Sequence, residues 1–219
     1  MGNNHNKYFN QNKRKVLILG LSSSGKTTLL RMIKGDEKGK GSLHTPTDMF
    51  NNEQIKIKKN IELDIWDLGG KLPHLWVHHF KGSQGIIYMI DGVSTLNNDQ
   101  KKQSAIQELL NVLVGNANIP IIVFINNKNR NFAENSSKQS DQRCIDEEWL
   151  KDNVFDKLDN IRKYIPLLQF NTNLDNYKIK ILIGNLIMEK GLDQLQISKG
   201  ETNIIYDCVN YLIDNMKPL

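Results

Sequence analysis

Residues Gly20 to Thr27 read G-L-S-S-S-G-K-T, and the five residues before them, Lys15-Val16-Leu17-Ile18-Leu19, form an apolar run of the length of one buried strand. The octapeptide satisfies G-x-x-x-x-G-K-[ST], the phosphate-binding loop of nucleotide-binding α/β proteins. Glycines at both ends let successive backbone N–H groups turn inward around a phosphate, so that Gly20, Ser23, Ser24 and Gly25 belong to the cradle. Lys26 reaches the outer phosphate oxygens and the Thr27 hydroxyl ligates Mg²⁺. A helix over residues 26–34, with Leu29, Leu30 and Ile33 on one face, points its positive N-terminal end at the same anion. The chain is therefore expected to bind a nucleoside triphosphate. A plain Gly/Ser-rich turn would require neither the strand before it nor the helix after it.

Outward from this loop, short apolar segments alternate with helix-length ones, the pattern of a mostly parallel sheet covered on both faces. Strands are expected at Lys15–Leu19, Ile55–Lys58, Ile61–Trp66, Gly85–Ile90 and Ile119–Ile125. Ile61-Glu62-Leu63-Asp64-Ile65 alternates as a half-exposed strand does, whereas Ile121 to Ile125 is continuously apolar, as a central strand should be. A helix from about Asn98 to Val114 gathers Ala105, Ile106, Leu109, Leu110 and Leu113 on one side, and a last helix from about Asn203 to Met216 stops before Pro218. The region 131–195 reads as a Ser/Gln-rich loop, a helix near Asp146 to Leu158 and an apolar stretch Ile179 to Ile183. The expected layout is a polar N-terminal extension, 1–13, and one domain, 14–219, with an insertion or extension within about 131–195.

A chain of 219 residues is long enough to bury a core without disulfides or structural metals. Its two cysteines, Cys144 and Cys208, lack paired spacing, which suits a reducing compartment. The net charge of +5 is scattered in short runs such as Lys13-Arg14-Lys15, read as solvated faces, so no specific nucleic-acid partner is expected. No apolar run approaches membrane-spanning length and no signal-peptide core is present, so a cytoplasmic location is expected. Met1-Gly2 opens an acylation motif, but residue six is Asn, and Asn3 to Asn12 offer no apolar helix face; membrane contact is expected to be weak at most. His74 and His78 form an i, i+4 pair beside His79, yet no carboxylate or cysteine completes a metal shell.

In parallel sheets, ligands sit at the carboxyl ends of strands, so a second nucleotide motif belongs where another strand ends. Ile65-Trp66-Asp67-Leu68-Gly69-Gly70 places a carboxylate there, positioned to hold Mg²⁺ through water, followed by glycines whose N–H groups can approach the γ-phosphate. Thr45-Pro46-Thr47 falls in the long loop between the two motifs, where the Thr47 hydroxyl would complete the Mg²⁺ shell.

Taken together, the G-L-S-S-S-G-K-T loop, the T-P-T segment, W-D-L-G-G followed by Leu75-Trp76 and Phe80, and the strand Ile121 to Asn126 resemble the ADP-ribosylation factor (Arf) and Arf-like small GTPases. The likeness covers roughly residues 14–130, and the last helix loosely. It implies a Ras-like α/β fold, a mostly parallel six-stranded sheet with helices on both faces. It further implies GTP or GDP with Mg²⁺, and two switch loops that reorganise with the γ-phosphate. The partners implied are protein effectors or a larger assembly, on an organelle or the cytoskeleton, met through the switch surface and the 131–195 region. Carried over by position, Gly25, Lys26, Thr27 and Thr28 would bind phosphates, Thr27 and Thr47 Mg²⁺, and Gly70 the γ-phosphate, while Asn126, Asn127 and Asn129 would lie at the base. For the third base-contacting loop, Ile197-Ser198-Lys199 is preferred, with Ser198 as the contact. The rival, Ile183-Gly184-Asn185, would make the last helix an appended element.

Three departures from the family pattern stand out. The Gln that orients the attacking water is Lys71, and only Leu72-Pro73-His74 separate it from Leu75-Trp76, where the family has a longer stretch. Lysine cannot accept a proton or orient water as an amide does. The base-reading N-K-x-D appears as Asn126-Asn127-Lys128-Asn129, and a register shifted by one, ending at Arg130, still lacks the Asp. Around Thr47, Asp48 and Met49 stand where the family has Ile and Gly. The expectation is a GTP-binding switch, or former switch, that acts through partners with weak or absent hydrolysis. The alternatives are a static structural subunit with nucleotide as a folding cofactor, and an ATP-dependent kinase, which leaves W-D-L-G-G and T-P-T unexplained.

Overall fold

The computed structural model describes residues 13–35, 47, 49–58, 60–116, 118–128, 144–157, 178–186 and 203–217. The strands are β1 (Lys13–Leu19), β2 (Phe50–Lys58), β3 (Ile61–Leu68), β4 (Gly85–Asp91), β5 (Ile121–Asn126) and β6 (Ile179–Gly184). The helices are α1 (Lys26–Lys34), α2 (Val77–Phe80), α3 (Gly92–Leu96), α4 (Asp99–Gly115), α5 (Glu147–Leu150) and α6 (Ile204–Asn215). The strands form one six-stranded sheet in the order β2-β3-β1-β4-β5-β6. All neighbours are parallel except the β2–β3 hairpin.

Alternate side chains of the strands feed two separate cores. On one face Val16, Ile18, Leu63, Ile65, Met89 and Phe124 pack with Leu29 and Ile33 of α1 and with Val209 and Leu212 of α6. On the other, Leu17, Leu19, Tyr88, Val123 and Ile125 pack with Leu109 and Leu113 of α4 and with Leu150 and Val154. β4 and β5 are buried along their whole length because both faces are covered.

The structure corrects several boundaries. β2 begins at Phe50, five residues before the expected Ile55, because antiparallel pairing with β3 recruits Phe50-Asn51-Asn52-Glu53-Gln54 despite their weak strand preference. β5 begins at Ile121 rather than Ile119; the carbonyl of Pro120 still accepts from Ile86, but proline has no N–H to continue the ladder. The helix expected near 146–158 starts at Glu147, capped by Asp146, whose carboxylate accepts from the Trp149 N–H at 2.8 Å. It then widens into a π-turn over Lys151–Phe155 that seats Val154 and Phe155 in the core. The apolar stretch at 179–183 is the sixth strand.

Because α6 buries Ile205, Cys208, Val209, Leu212 and Ile213 against the sheet, it is part of the fold and no appendage. Asn203 caps its start, accepting from the N–H groups of Ile205 and Tyr206. Its last carbonyls are held by Arg14 from β1, at 2.7 Å, and by Lys178 beside β6, at 2.8 Å.

Candidate nucleotide site

The phosphate loop runs from the end of β1 to α1 with Gly20 at φ 141°, Ser23 at 65° and Gly25 at 105°. A side chain at Gly20 would strike the Met89 carbonyl, and a Cβ at Gly25 would lie 2.5 Å from Asn126 Nδ2. Both positions thus require glycine for backbone angle and for space. α1 has no side-chain cap and no acid in its first turn, so its leading N–H groups face the loop as an anion site. Thr28 lies in this first turn. Lys26 is buried, and its ammonium donates to the carbonyls of Gly20 at 2.8 Å and Leu21 at 2.9 Å. Burial lowers its pKa to about 8 despite the opposing pull of Asp67.

Three oxygens from three separate segments converge beside that ammonium. Thr27 Oγ1 donates to Asp67 Oδ2 at 2.6 Å and lies 3.2 Å from Thr47 Oγ1, which is itself 3.4 Å from Asp67 Oδ2. Burial raises the Asp67 pKa, offset by the Thr27 bond, by Lys26 and by Thr47. Asp67 Oδ1 and Ser24 Oγ are buried without a hydrogen-bond partner among the described residues. Two hydroxyls and a carboxylate are hard donors of the kind Mg²⁺ takes, and orphaned oxygens next to a buried ammonium fit a phosphate–cation pair. The residues therefore suit the nucleotide and metal expected of them. Among the described residues no group of three His, Cys, Asp or Glu is placed to hold a metal.

The glycines after Asp67 close on the same point. A Cβ at Gly70 would lie 2.5 Å from Leu21 C and Ser22 N and 2.6 Å from the Gly20 carbonyl oxygen, so only glycine allows this contact with the phosphate loop. Gly69 N–H donates to the Met49 carbonyl at 2.7 Å, and its own carbonyl accepts from Trp76 Nε1 at 2.9 Å. Lys71 follows on the exposed surface.

On the opposite side, Asn126 ends β5 and donates through Nδ2 to the Ser24 carbonyl at 3.1 Å, while its Oδ1 accepts from Leu186 N–H at 3.4 Å. The Asn127 N–H donates to the Gly184 carbonyl. Asn185 Nδ2 donates to the Lys128 carbonyl at 3.1 Å. The segment at the carboxyl end of β6 is Gly184-Asn185-Leu186, which includes Gly184 and Asn185 of the rival in the sequence reading; Ser198, like Asn129, lies outside the described residues.

Sequence reasoning missed a brace at this edge. The Lys128 ammonium donates to the Ser23 carbonyl at 2.9 Å and to Asp91 Oδ2 at 2.8 Å, and Asp91 Oδ1 accepts from Ser94 N–H to cap α3. One side chain thereby joins the phosphate loop to the ends of β4 and β5. An aspartate closing the apolar run Ile86 to Ile90 was the available signal.

The model of the ADP-ribosylation factor family matches residues 2–192. The chain belongs to the ADP-ribosylation factor family. An Arf-family fold of this kind supports GTP binding, and the phosphate loop described above has the form that binding needs. Among curated proteins, E3 ubiquitin-protein ligase arc-1 of Caenorhabditis elegans is 39% identical over 120 residues, which is 52% of this chain and 21% of that protein. The chain thus corresponds to about a fifth of that relative's length. Among solved structures, the Arl6 BBS3 small GTPase from Trypanosoma brucei with bound nucleotide analogue GppNp covers 92% of this chain and 96% of its own at a TM-score of 0.54 and 17% identity. That likeness concerns the fold.

Proposed function

We propose that this Arf-family chain is a guanine-nucleotide-dependent switch that acts by binding partner proteins and hydrolyses GTP slowly or not at all. The observation that carries the reading is the meeting of Thr27, Thr47 and Asp67, which ties the phosphate loop, the loop before β2 and the end of β3 to one metal-sized locus. Through the Gly69–Met49 bond, whatever moves Thr47 or Asp67 also moves the start of β2. Mg²⁺ at this locus would be held by the two hydroxyls and, through water, by the Asp67 carboxylate, and Lys26 would turn from its own loop's carbonyls to the phosphates. Lys71 at the family's Gln position supports slow hydrolysis, since an ammonium offers no acceptor with which to orient water.

The test is mass spectrometry of nucleotide released from purified protein, paired with an exchange assay using fluorescent GTP. Guanine nucleotide that exchanges within hours supports the switch. Guanine nucleotide that never exchanges would replace the switch by a static subunit, and adenine nucleotide would overturn the family-based assignment of the base.

A further inference from the structure

Ser24 Oγ, one of the two orphaned oxygens of the nucleotide site, borders a small cavity between the phosphate loop, the end of β4, α3 and the first half of α4. Ser24 is only 1% exposed, so its hydroxyl has given up its bonds to bulk solvent without gaining a protein partner in return. The cavity measures about 10 Å³, the room that a single water molecule needs. Gly20 helps to keep it open, since a side chain there would strike the Met89 carbonyl and lie 2.9 Å from Ser24 Oγ.

The lining suits a molecule that both donates and accepts. Besides Ser24, it includes the hydroxyl residues Tyr88, Ser94 and Thr95. The Tyr88 hydroxyl donates to the Ala105 carbonyl at 3.1 Å and keeps lone pairs with which to accept. Asp91, the carboxylate of the lining, is already bonded to the Lys128 ammonium and the Ser94 N–H, which leaves no acid to balance a cation. The Lys101 ammonium donates to Ser94 Oγ at 2.7 Å on the solvent side. The loop is also fastened directly on its other flank, where the Ser23 carbonyl accepts from Lys128 at 2.9 Å and the Ser24 carbonyl from Asn126 at 3.1 Å. Toward α3 and α4 the loop presents the Ser24 hydroxyl instead.

We infer that this cavity binds one buried water molecule, anchored on Ser24 Oγ, which straps the phosphate loop to α3 and α4 and slows the loss of nucleotide. A water held by two or more such partners is part of the structure and is costly to remove. The inference rests on the nucleotide reading above for its effect on retention alone; the water is a property of the folded chain with or without nucleotide.

The test is a pair of crystal structures of the full chain, with GDP and without nucleotide, together with ¹⁷O relaxation dispersion of water in solution. Both wild-type structures are expected to show a water within hydrogen-bond distance of Ser24 Oγ. In Ser24→Val the added methyls occupy its place, and the dispersion amplitude should fall by about one long-lived water. Ser24→Ala, which keeps the space and removes the anchor, should speed release of fluorescent GDP by about fivefold, the effect of losing one hydrogen bond. Wild-type structures in which the cavity is dry, or in which Ser24 Oγ bonds a phosphate oxygen or the Met89 carbonyl instead, overturn the inference. So does an unchanged dispersion in Ser24→Val, and release from Ser24→Ala close to the wild-type rate overturns the strap. If Ser24→Val fails to fold, the wild-type structures still decide. A wild-type chain that retains no nucleotide removes the switch proposed above, and the nucleotide-free crystal then judges the water by itself.

Discussion

Lys128 joins segments that lie far apart in the sequence. In the family-based reading it occupies the variable position of N-K-x-D, yet its ammonium bridges Ser23 and Asp91. Hydrogen bonds involving a charged group contribute about 1.5–3 kcal/mol, and partial exposure of Lys128 places it at the low end. Lys128→Ala should therefore speed dissociation of a fluorescent GTP analogue by about tenfold, with partial recovery in Lys128→Arg; a rate within twofold of wild type would deny the brace a part in retention. Lys26 offers a test by pH. Its pKa falls to about 8 from 10.5, so between these values the unfolded chain binds more protons than the folded one and stability rises with pH. In nucleotide-free protein, Lys26→Met should gain most in melting temperature relative to wild type near pH 7, and that advantage should shrink by pH 10. At Lys71, wild-type single-turnover hydrolysis is expected at or below about 10⁻⁴ per second. Lys71→Gln should give at most a modest gain, because the short Leu72-Pro73-His74 connection also sets where the side chain lands. A wild-type rate near one per second would refute both statements.

Among the elements, α6 joins the widest span of sequence. Its cap, Asn203, is buried and accepts two backbone N–H groups, and its far end is tied to β1 by Arg14. Asn203→Ala should cost about 1 kcal/mol and lower the melting midpoint by a few degrees. Thermal unfolding of the nucleotide-bound chain measures this, and an unchanged midpoint would mean that the cap is replaceable by water. The strands were the legible part of the sequence wherever apolar residues carried the period: β1, β3, β4 and β5 were each located, with ends shifted by one or two residues, from runs such as Ile121 to Ile125. The first half of β2 was not, because Asn51, Asn52 and Gln54 are drawn into the sheet by β3 rather than by their own preference. The π-turn at Lys151–Phe155 has a helical apolar pattern and so could not be told from an ordinary helix.

At the scale of the molecule, the candidate site was readable where its shape rests on backbone and small side chains held at fixed spacing, as in Gly20 to Thr27 and Asp67 to Gly70. It was unreadable where it depends on which strand ends the sheet. β6 pairs with β5 in register from Ile121↔Ile179 to Asn126↔Gly184, a long-range fact that no local pattern states, and it brings Gly184 beside Asn126. The same topology bears on how the chain is made. α6 follows every strand in the sequence and supplies Ile205, Val209 and Leu212 to the core on the α1 side of the sheet. During synthesis all six strands leave the ribosome before the helix that covers them. For that interval the β5 and β6 side of this face, including Phe124 and Leu182, lacks the helix that packs on it, and the nascent chain exposes apolar surface until α6 emerges. Chaperone demand in the cell should accordingly peak in the interval between the emergence of β6 and the docking of α6.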